Sequence, residues 1–589
     1  LSKQKRFCYF TSEMKTAYRI LALVGVIAIW LVYSSFFLYS PYRFDCLMRI
    51  PKLFTDTMNW NIDNIKGLFN NLSANTLINP TANFSYSVYL VSFVIFLLYL
   101  YRWIESTLKE NEKKPHPLYI HGKQISESVT CNPEEEEFET IDKSIRTITD
   151  IRNRFSSFGD REAVYYGGDW KSYNYILQLS EIMGNIVKRY SKTDAPLCVM
   201  GDFSSIKCSA ILGVTSAGRS VVFVPSDCDS AEMASVIEEQ HCEVLLVKRS
   251  RLCQLEDILD TSYCRYLRVI LYTECDYLEK IEMGDILRVE ETLIQEYNMT
   301  IISLGHVMET EYKDHVVTAK LDVPEGLEDR PAVIVYNSNK EAITLTHRNI
   351  VAAASALARE YKFTENDIIL AEPVSVASTV SLFMASLMCG ARFSITDKIM
   401  TICGEVQPTV ISASNTTYFS IYKELVRVYK KHVFNRVLLA PLRHLFRNTQ
   451  YFRMVRQKRV AQLLGDNVRL CLSFYSYRPL SSAGHSLLSK MTGVPVSIIF
   501  GNTETCGICT HNVEGKYTIG VTYMAVPFMC NSLRKSERNT LLISGSNIAE
   551  NSRMVELDGI RWFDSGLSIP FMKNHYILQI GRASCRERV

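Results

Sequence analysis

The chain has 589 residues and a net charge of +3, because 65 basic side chains are nearly balanced by 62 acidic ones. This balance excludes proteins that bind nucleic acid through a strongly basic surface, so we expect no nucleic-acid partner. The length exceeds that of one compact core, so we expect the body to divide into at least two subdomains. The 17 cysteines are scattered singly, which is typical of reduced, buried thiols in a cytosolic domain.

Two long uncharged segments near the N-terminus predict a transmembrane helical hairpin. Residues 20–39 and 82–101 contain no charged side chain, and about twenty such residues are enough to span a bilayer. Basic residues flank the outer ends of both segments, which places both ends of the hairpin in the cytosol. We therefore predict a membrane anchor over 1–104, with the lipid bilayer as a partner and the large domain on the cytosolic side.

The loop between the two segments contains sequons at Asn71 and Asn83. These agree with a luminal loop and with the endoplasmic reticulum as the membrane, and whether they carry glycans stays open. Residues 105–139 are predicted to be a linker, because they contain Pro115-His116-Pro117 and an acidic run from Glu134 to Glu137.

Both ends of the sequence show signs of processing or damage. The chain opens on Leu1 rather than on a methionine, and residues 580–589 resemble a translated sequencing-adapter scar. Such a scar is excluded from fold reasoning, and we expect the natural chain to extend beyond both ends.

Strand and helix patterns alternate through the body of the chain. Gly167-Gly168 between two strand-like runs predicts a β-hairpin, and apolar residues recur at helical spacing from Ile176 to Tyr190. This alternation indicates an α/β fold with a parallel sheet covered by helices on both faces, in which ligands bind beyond the carboxyl ends of the strands. Further strands are predicted at 197–200, 221–225, 244–247, 332–335, 368–370, 410–411 and 496–500, and further helices at 204–213 and 231–240.

Four motifs follow one another in this body. The segment from Tyr336 to Lys340, with Leu345-Thr346-His347-Arg348-Asn349-Ile350 behind it, is similar to a phosphate loop and its L-T-H-x-N-I tail. The others are Arg478-Pro479-Leu480-Ser481, similar to a P-L-S stretch, Phe500-Gly501-Asn502-Thr503-Glu504, similar to Y-G-x-T-E, and Asp558 to Gly566, similar to D-G-x-W-F-x-T-G-D. In their order, these motifs resemble those of the AMP-forming acyl-CoA synthetases, and within them the long-chain fatty acid CoA ligases.

The resemblance implies that 140–579 is an AMP-binding domain, the large multi-subdomain N-domain of an adenylate-forming enzyme. It implies that ATP with Mg²⁺ converts a long-chain fatty acid to an acyl-adenylate, from which coenzyme A, the second substrate, displaces AMP. On this pattern Glu504 and Lys340 are the candidate catalytic residues, and Glu504 is the candidate Mg²⁺ ligand. The candidate nucleotide-binding residues are Tyr336, Ser338, Gly501 and Thr503.

Several positions depart from the family's pattern. The phosphate loop is short and contains no glycine, although its backbone needs small residues to reach a phosphate. Ser476, Tyr477 and Arg478 replace small residues that line the adenine, and Leu567 stands where the family has a ribose-binding aspartate, with Asp564 as the alternative acceptor. The chain also ends before the family's small C-terminal domain.

Two functional hypotheses follow. In the first, the chain is a membrane-bound long-chain fatty acid CoA ligase, which the motifs favour. In the second, it is a catalytically inactive relative, a pseudoenzyme, that serves as a membrane-tethered binding or scaffold protein. The altered residues at the predicted site favour the second hypothesis.

Overall fold

The structure is a computed structural model that describes residues 144–579 with gaps, together with the short strands Lys123–Gln124 and Val129–Cys131. The residues in this range that lie outside the description are 167, 201–203, 225–227, 253–254, 256–257, 260–263, 274–279, 308–322, 338, 431–463, 466, 475–493, 518–521, 539, 551–552, 569–570 and 573–574.

The chain divides into two compact units, Leu1–Lys113 and Lys114–Val589, and all described residues belong to the second unit. The predicted membrane anchor over 1–104 and the predicted scar over 580–589 therefore lie outside the described residues. No helix in the described part of the chain is long and apolar enough to cross a bilayer.

The helices are numbered in chain order. They are α1 (Ile148–Asn153), α2 (Phe155–Phe158), α3 (Tyr173–Tyr190), α4 (Ser205–Ser216), α5 (Ser230–Glu239), α6 (Lys280–Gln295), α7 (His347–Glu360), α8 (Val376–Met388), α9 (Ile399–Val406) and α10 (Asn415–Lys430).

The described strands are numbered in chain order. They are β1 (Lys123–Gln124), β2 (Val129–Cys131), β3 (Glu162–Tyr166), β4 (Asp169–Ser172), β5 (Leu197–Met200), β6 (Val221–Val224), β7 (Val244–Lys248), β8 (Val269–Thr273), β9 (Thr300–Ser303), β10 (Pro331–Tyr336), β11 (Ala342–Thr346), β12 (Ile368–Ala371), β13 (Arg392–Ile395), β14 (Val410–Ser414), β15 (Leu470–Phe474), β16 (Val496–Phe500), β17 (Thr510–Tyr517), β18 (Thr522–Pro527), β19 (Asn531–Lys535), β20 (Thr540–Gly545), β21 (Met554–Leu557), β22 (Ile560–Ser568), β23 (Phe571–Met572) and β24 (His575–Gln579).

These strands form three sheets. A seven-stranded sheet has the order β11-β10-β6-β5-β7-β8-β9 and is parallel except for the β10–β11 hairpin. An eleven-stranded sheet has the order β23-β24-β18-β17-β16-β15-β14-β12-β13-β3-β4, and its strands from β16 to β3 are parallel. The third sheet, β1-β2-β19-β20-β22-β21, is antiparallel.

The hydrophobic core lies in layers on both faces of the two mostly parallel sheets. Along β5, Leu197 and Val199 belong to a large cluster shared with α3, α4, α7, α8 and the eleven-stranded sheet, whereas Cys198 and Met200 belong to a second cluster with α5 and α6. This alternation follows from the two-residue period of a strand. A third cluster packs α9 and α10 on the outer face of the eleven-stranded sheet.

Polar side chains fix the starts of the helices nearest the predicted site. Asp229 Oδ1 accepts the backbone N–H of Glu232 at 2.8 Å at the start of α5. At the start of α7, Thr346 and Asn349 form a reciprocal capping box. Each such cap is worth about 1 kcal/mol of helix stability.

The alternating body is confirmed, with one difference. The strands predicted from Leu197 onward and the β3–β4 hairpin are all present, and the helix predicted over 176–190 extends over Tyr173–Tyr190. The parallel strands, however, form two sheets rather than one. The reason is that the helices between them bury apolar residues on both sides, so a second sheet can cover their other face.

Candidate active site

The turn after β16 carries three of the predicted site residues, Gly501, Thr503 and Glu504. A Cβ atom at Gly501 would lie 2.3 Å from the backbone of Gly507, and a Cβ atom at Gly507 would lie 2.4 Å from the backbone of Ser378 in α8. Gly507 also has a φ of 78°, which glycine adopts without strain. Close backbone packing therefore fixes the path of this turn.

Two buried asparagines, Asn547 and Asn349, hold the same turn through hydrogen bonds. Asn547 Nδ2 donates to the carbonyl oxygens of Thr505 at 2.9 Å and Ile508 at 3.0 Å. Asn349, from the L-T-H-x-N-I tail, donates to the carbonyl oxygens on either side of Asn547, those of Ser546 at 2.9 Å and Ile548 at 3.0 Å. Asn349 of the tail motif therefore supports the site by holding the backbone on either side of Asn547.

Glu504 is the buried charge of the site. Its side chain is 4% exposed, and its Oε1 accepts hydrogen bonds from Asn337 Nδ2 at 3.1 Å and from the Arg553 guanidinium at 3.0 Å. Thr503 lies beside it and is half-buried. The carboxylate therefore joins the β10–β11 loop to the segment just before β21.

The predicted phosphate loop, between β10 and β11, is a hairpin turn closed by Asn337. The backbone N–H groups of Asn339 and Glu341 donate to Asn337 Oδ1 at 2.9 and 3.0 Å. The N–H of Lys340 donates to the Asn337 carbonyl oxygen, and the N–H of Asn337 donates to the Glu341 carbonyl oxygen, each at 3.0 Å. These four N–H groups are all directed at acceptors inside the loop.

Lys340 and Tyr336 face α5 rather than Glu504. Lys340 is 74% exposed and pairs with Glu232, whose hydrogen bond and charge raise the pKa of Lys340, while Lys340 lowers the pKa of Glu232. The Tyr336 hydroxyl donates to Glu239 Oε2 at 3.1 Å and accepts from Gln240 Nε2 at 3.2 Å, and burial raises the pKa of Tyr336.

Of the remaining predicted positions, Leu567 and Asp564 are described and the others are not. Leu567 packs against the apolar cluster that includes Phe500 and Phe563, and Asp564 Oδ1 accepts the backbone N–H of Gly566 at 2.9 Å. Ser338 and the adenine stretch at 476–478 lie outside the described residues.

The sequence pattern of AMP-binding enzymes matches residues 151–535, which is more than half of the chain. This chain belongs to the AMP-binding enzyme family. The resemblance to acyl-CoA synthetases that the motifs predicted is confirmed at the level of this family.

Solved structures of other AMP-binding enzymes share the fold at low sequence identity. A long-chain-fatty-acid-CoA ligase from Archaeoglobus fulgidus is 13% identical with a TM-score of 0.55, over 75% of this chain and 84% of that one. The A domain of a carboxylic acid reductase from Segniliparus rugosus, in complex with AMP and a co-purified carboxylic acid, is 13% identical with a TM-score of 0.57, over 76% and 77%. A fatty acyl CoA synthetase of Mycobacterium tuberculosis is 13% identical with a TM-score of 0.51, over 74% and 78%.

The residues of this family member do not fit a protein-bound Mg²⁺. Magnesium requires near-octahedral oxygen ligands at about 2.0–2.1 Å, whereas Glu504 Oε1 already accepts from a guanidinium and an amide, and a metal at either carboxylate oxygen would face the charge of Arg553. The carboxylate predicted as a metal ligand is the acceptor of an ion pair.

Sequence reasoning missed Asn337, Arg553 and Asn547. Asn337 lies inside the predicted phosphate loop, and an asparagine that bonds to backbone two residues on is a known turn former, so the loop sequence contained a usable signal. Arg553 and Asn547 belong to no predicted motif, and they contact the site only through the three-dimensional fold.

Proposed function

We propose that this chain is a catalytically inactive relative of the long-chain fatty acid CoA ligases, which binds a long-chain fatty carboxylate without activating it. The substrate class is supported by the motif resemblance and by the solved relatives, which include fatty-acid ligases and a domain with a bound carboxylic acid. The loss of activation rests on the geometry of the phosphate loop.

The observation that carries this proposal is that four backbone N–H groups of the loop already bond to acceptors inside the loop, two to the Asn337 side chain and two to backbone carbonyl oxygens. A phosphate cradle needs several backbone N–H groups aimed at one anion. Here the N–H groups of Asn337, Asn339, Lys340 and Glu341 bond within the hairpin. Binding the phosphates of ATP would break these bonds and rebuild the turn, and the loop has no glycine to allow a different path.

The candidate lysine adds to this argument. Lys340 extends into solvent and forms its ion pair with Glu232 on α5, so its charge is not directed at Glu504. The lysine that the resemblance assigns to the phosphates of ATP therefore pairs with α5, and the carboxylate that it assigns to Mg²⁺ pairs with Arg553.

We further propose that the two apolar segments at 20–39 and 82–101 hold the protein in the endoplasmic reticulum membrane with the ligase-like domain in the cytosol. A fatty acid partitions into a bilayer, so an anchored domain would lie beside its ligand. The protein would then act as a membrane-tethered binding or scaffold protein.

A pair of measurements on the full chain in lipid nanodiscs tests this function. Binding of cis-parinaric acid, a fluorescent long-chain fatty acid, reports the ligand site, and ATP–pyrophosphate exchange with palmitate reports acyl-adenylate formation. We expect binding of the fatty acid, and exchange no faster than that of the matched variant Glu504→Gln. Absence of fatty-acid binding would show that the substrate class is wrong.

The second candidate function is the membrane-bound ligase itself, using ATP, Mg²⁺ and coenzyme A. One observation favours it, namely that Thr503 and Glu504 remain together at the carboxyl end of β16, where an α/β sheet places its ligands. Exchange by the wild type that Glu504→Gln abolishes would select this candidate and reject the inactive relative.

A further inference from the structure

Arg553 is positioned by contacts on three sides. Its carbonyl oxygen accepts the backbone N–H of Asp564 at 3.0 Å, which fixes its backbone beside β22. Its guanidinium carbon lies 5.5 Å from the centre of the Phe563 ring, a distance at which the ring face attracts a cation. The end of the side chain reaches Glu504 Oε1 at 3.0 Å.

Glu504 needs a cation at this place. Its side chain is 4% exposed, and a buried carboxylate is destabilising unless it is paired and hydrogen-bonded. Arg553 supplies the charge and Asn337 supplies a second hydrogen bond to the same oxygen. An arginine keeps its charge at all accessible pH values, so the cation of this pair does not depend on pH.

Arg553 and Asn337 both donate to Oε1 of Glu504. A divalent ion would have to lie at about 2.0–2.1 Å from one of the two carboxylate oxygens, and at either one its two positive charges would repel the guanidinium that already lies 3.0 Å from Oε1. Because the guanidinium also contacts the Phe563 ring, moving it away from Glu504 would break the ring contact as well as the ion pair, while the backbone bond to Asp564 would remain.

We infer that Arg553 takes the place of the divalent cation at this site, so that Glu504 binds an internal arginine instead of a metal ion. Arg553 is a positioning residue in this role, because it fixes the carboxylate and the phosphate loop through the Arg553–Glu504–Asn337 chain. The inference rests on the proposed function, and it adds that the site is independent of magnesium.

Titration of the full chain with Mn²⁺, followed by the electron paramagnetic resonance signal of the free ion, tests this inference. The variants are Glu504→Gln, Arg553→Gln and their combination, which remove the acceptor, the internal cation and both. Arg561→Gln is the matched control, because Arg561 is an exposed arginine on β22 that pairs with Glu550 and does not contact Glu504.

We expect the wild type, Arg561→Gln and Glu504→Gln to bind the same number of Mn²⁺ ions. Arg553→Gln should bind one further ion per chain, and the combination with Glu504→Gln should lose it. If Arg553→Gln unfolds without metal, added Mn²⁺ should restore its folding and that of no other variant.

Two outcomes would overturn the inference. In one, the wild type binds more Mn²⁺ than Glu504→Gln, which would show that the carboxylate takes a metal despite Arg553. In the other, Arg553→Gln binds no more Mn²⁺ than the wild type and is not refolded by it. Binding of cis-parinaric acid, measured on the same samples, reports the proposed function separately, so either idea can fail alone.

Discussion

His347 makes the stability of this domain sensitive to acid. Its side chain is fully buried, its Nδ1 accepts the backbone N–H of Ile148 at 3.2 Å, and its Nε2 has no hydrogen-bond partner among the described residues. Burial lowers the pKa of His347 from 6.5 to about 4; the charge of Asp150 has a smaller effect that raises this pKa, and the charge of Arg330 a smaller effect that lowers it further. Protonation would also turn Nδ1 into a donor facing the N–H of Ile148.

The sign follows from the two protonation states. In the unfolded chain the imidazole takes up a proton below its ordinary pKa of 6.5, whereas in the folded protein it stays neutral until about pH 4. The stabilisation of the folded state by the neutral, buried His347 is therefore complete above pH 6.5 and is lost as the pH falls towards 4. Each pH unit in this window lowers the free energy of unfolding by about 1.4 kcal/mol, which gives a loss of roughly 2 kcal/mol by about pH 5.

Urea unfolding of the wild type and of His347→Gln, at about pH 7.5 and about pH 5, isolates this effect. Glutamine has no charge to gain and its amide oxygen can still accept the N–H of Ile148, so other titrating groups cancel in the comparison. We expect the wild type to lose roughly 2 kcal/mol more than the variant between the two pH values. Equal losses in the two proteins would refute the assignment of a neutral, buried His347.

Three further perturbations test the contacts around the site by urea unfolding. Gly507→Ala should lower the free energy of unfolding by about 2–5 kcal/mol, because the new Cβ would lie 2.4 Å from the backbone of α8. The control Gly559→Ala, at a φ of 76° with no atom within 4 Å, should lower it only by the backbone strain of about 1–2 kcal/mol. Equal losses in the two variants would contradict the close packing at Gly507. Asn547→Ala should cost about 2–4 kcal/mol, since it removes buried donors from two carbonyl oxygens, and a cost under about 1 kcal/mol would show that the turn is held otherwise. Arg553→Ala should lower the free energy of unfolding by about 2 kcal/mol, less than is typical for fully buried ion pairs, because Arg553 is 38% exposed. Adding Glu504→Gln to this variant should recover part of the loss. If the losses of the two single variants simply add in the double variant, the ion pair contributes nothing to stability.

Local patterns in the sequence predicted much of the α/β body. Strands such as β5 and β6 are buried on both faces, so they are continuous apolar runs that a short window detects. The β3–β4 hairpin was predicted from Gly167-Gly168 between two strand-like runs, and in the structure Gly168 has a φ of 82°, a conformation that favours glycine. The start of α3 was predicted three residues late, at Ile176, although Ser172, which caps the helix, is a residue typical of a helix start.

The division into separate sheets and the partners of Glu504 could not be read in this way. Strand β13 pairs with β3 across more than two hundred residues of sequence, with Phe393 opposite Val164, and no local pattern specifies such a pairing. Glu504 and Arg553 are 49 residues apart, and although its motif marked Glu504 as a site residue, nothing in the sequence around Arg553 indicates that the two side chains pair. Only the fold brings them within 3.0 Å.

The contacts explain why the chain keeps the family's motifs at the positions that it does. His347, Asn349 and Gly501 all bond or pack against protein atoms, so changing any of them would disturb the fold itself. The altered positions, the phosphate loop and Leu567, are instead those that the resemblance assigns to the nucleotide, and here they bond within their own turn or pack in the core. A match to the motifs therefore reports the fold of this chain reliably, whereas its chemistry depends on whether Glu504 pairs with a metal or with Arg553.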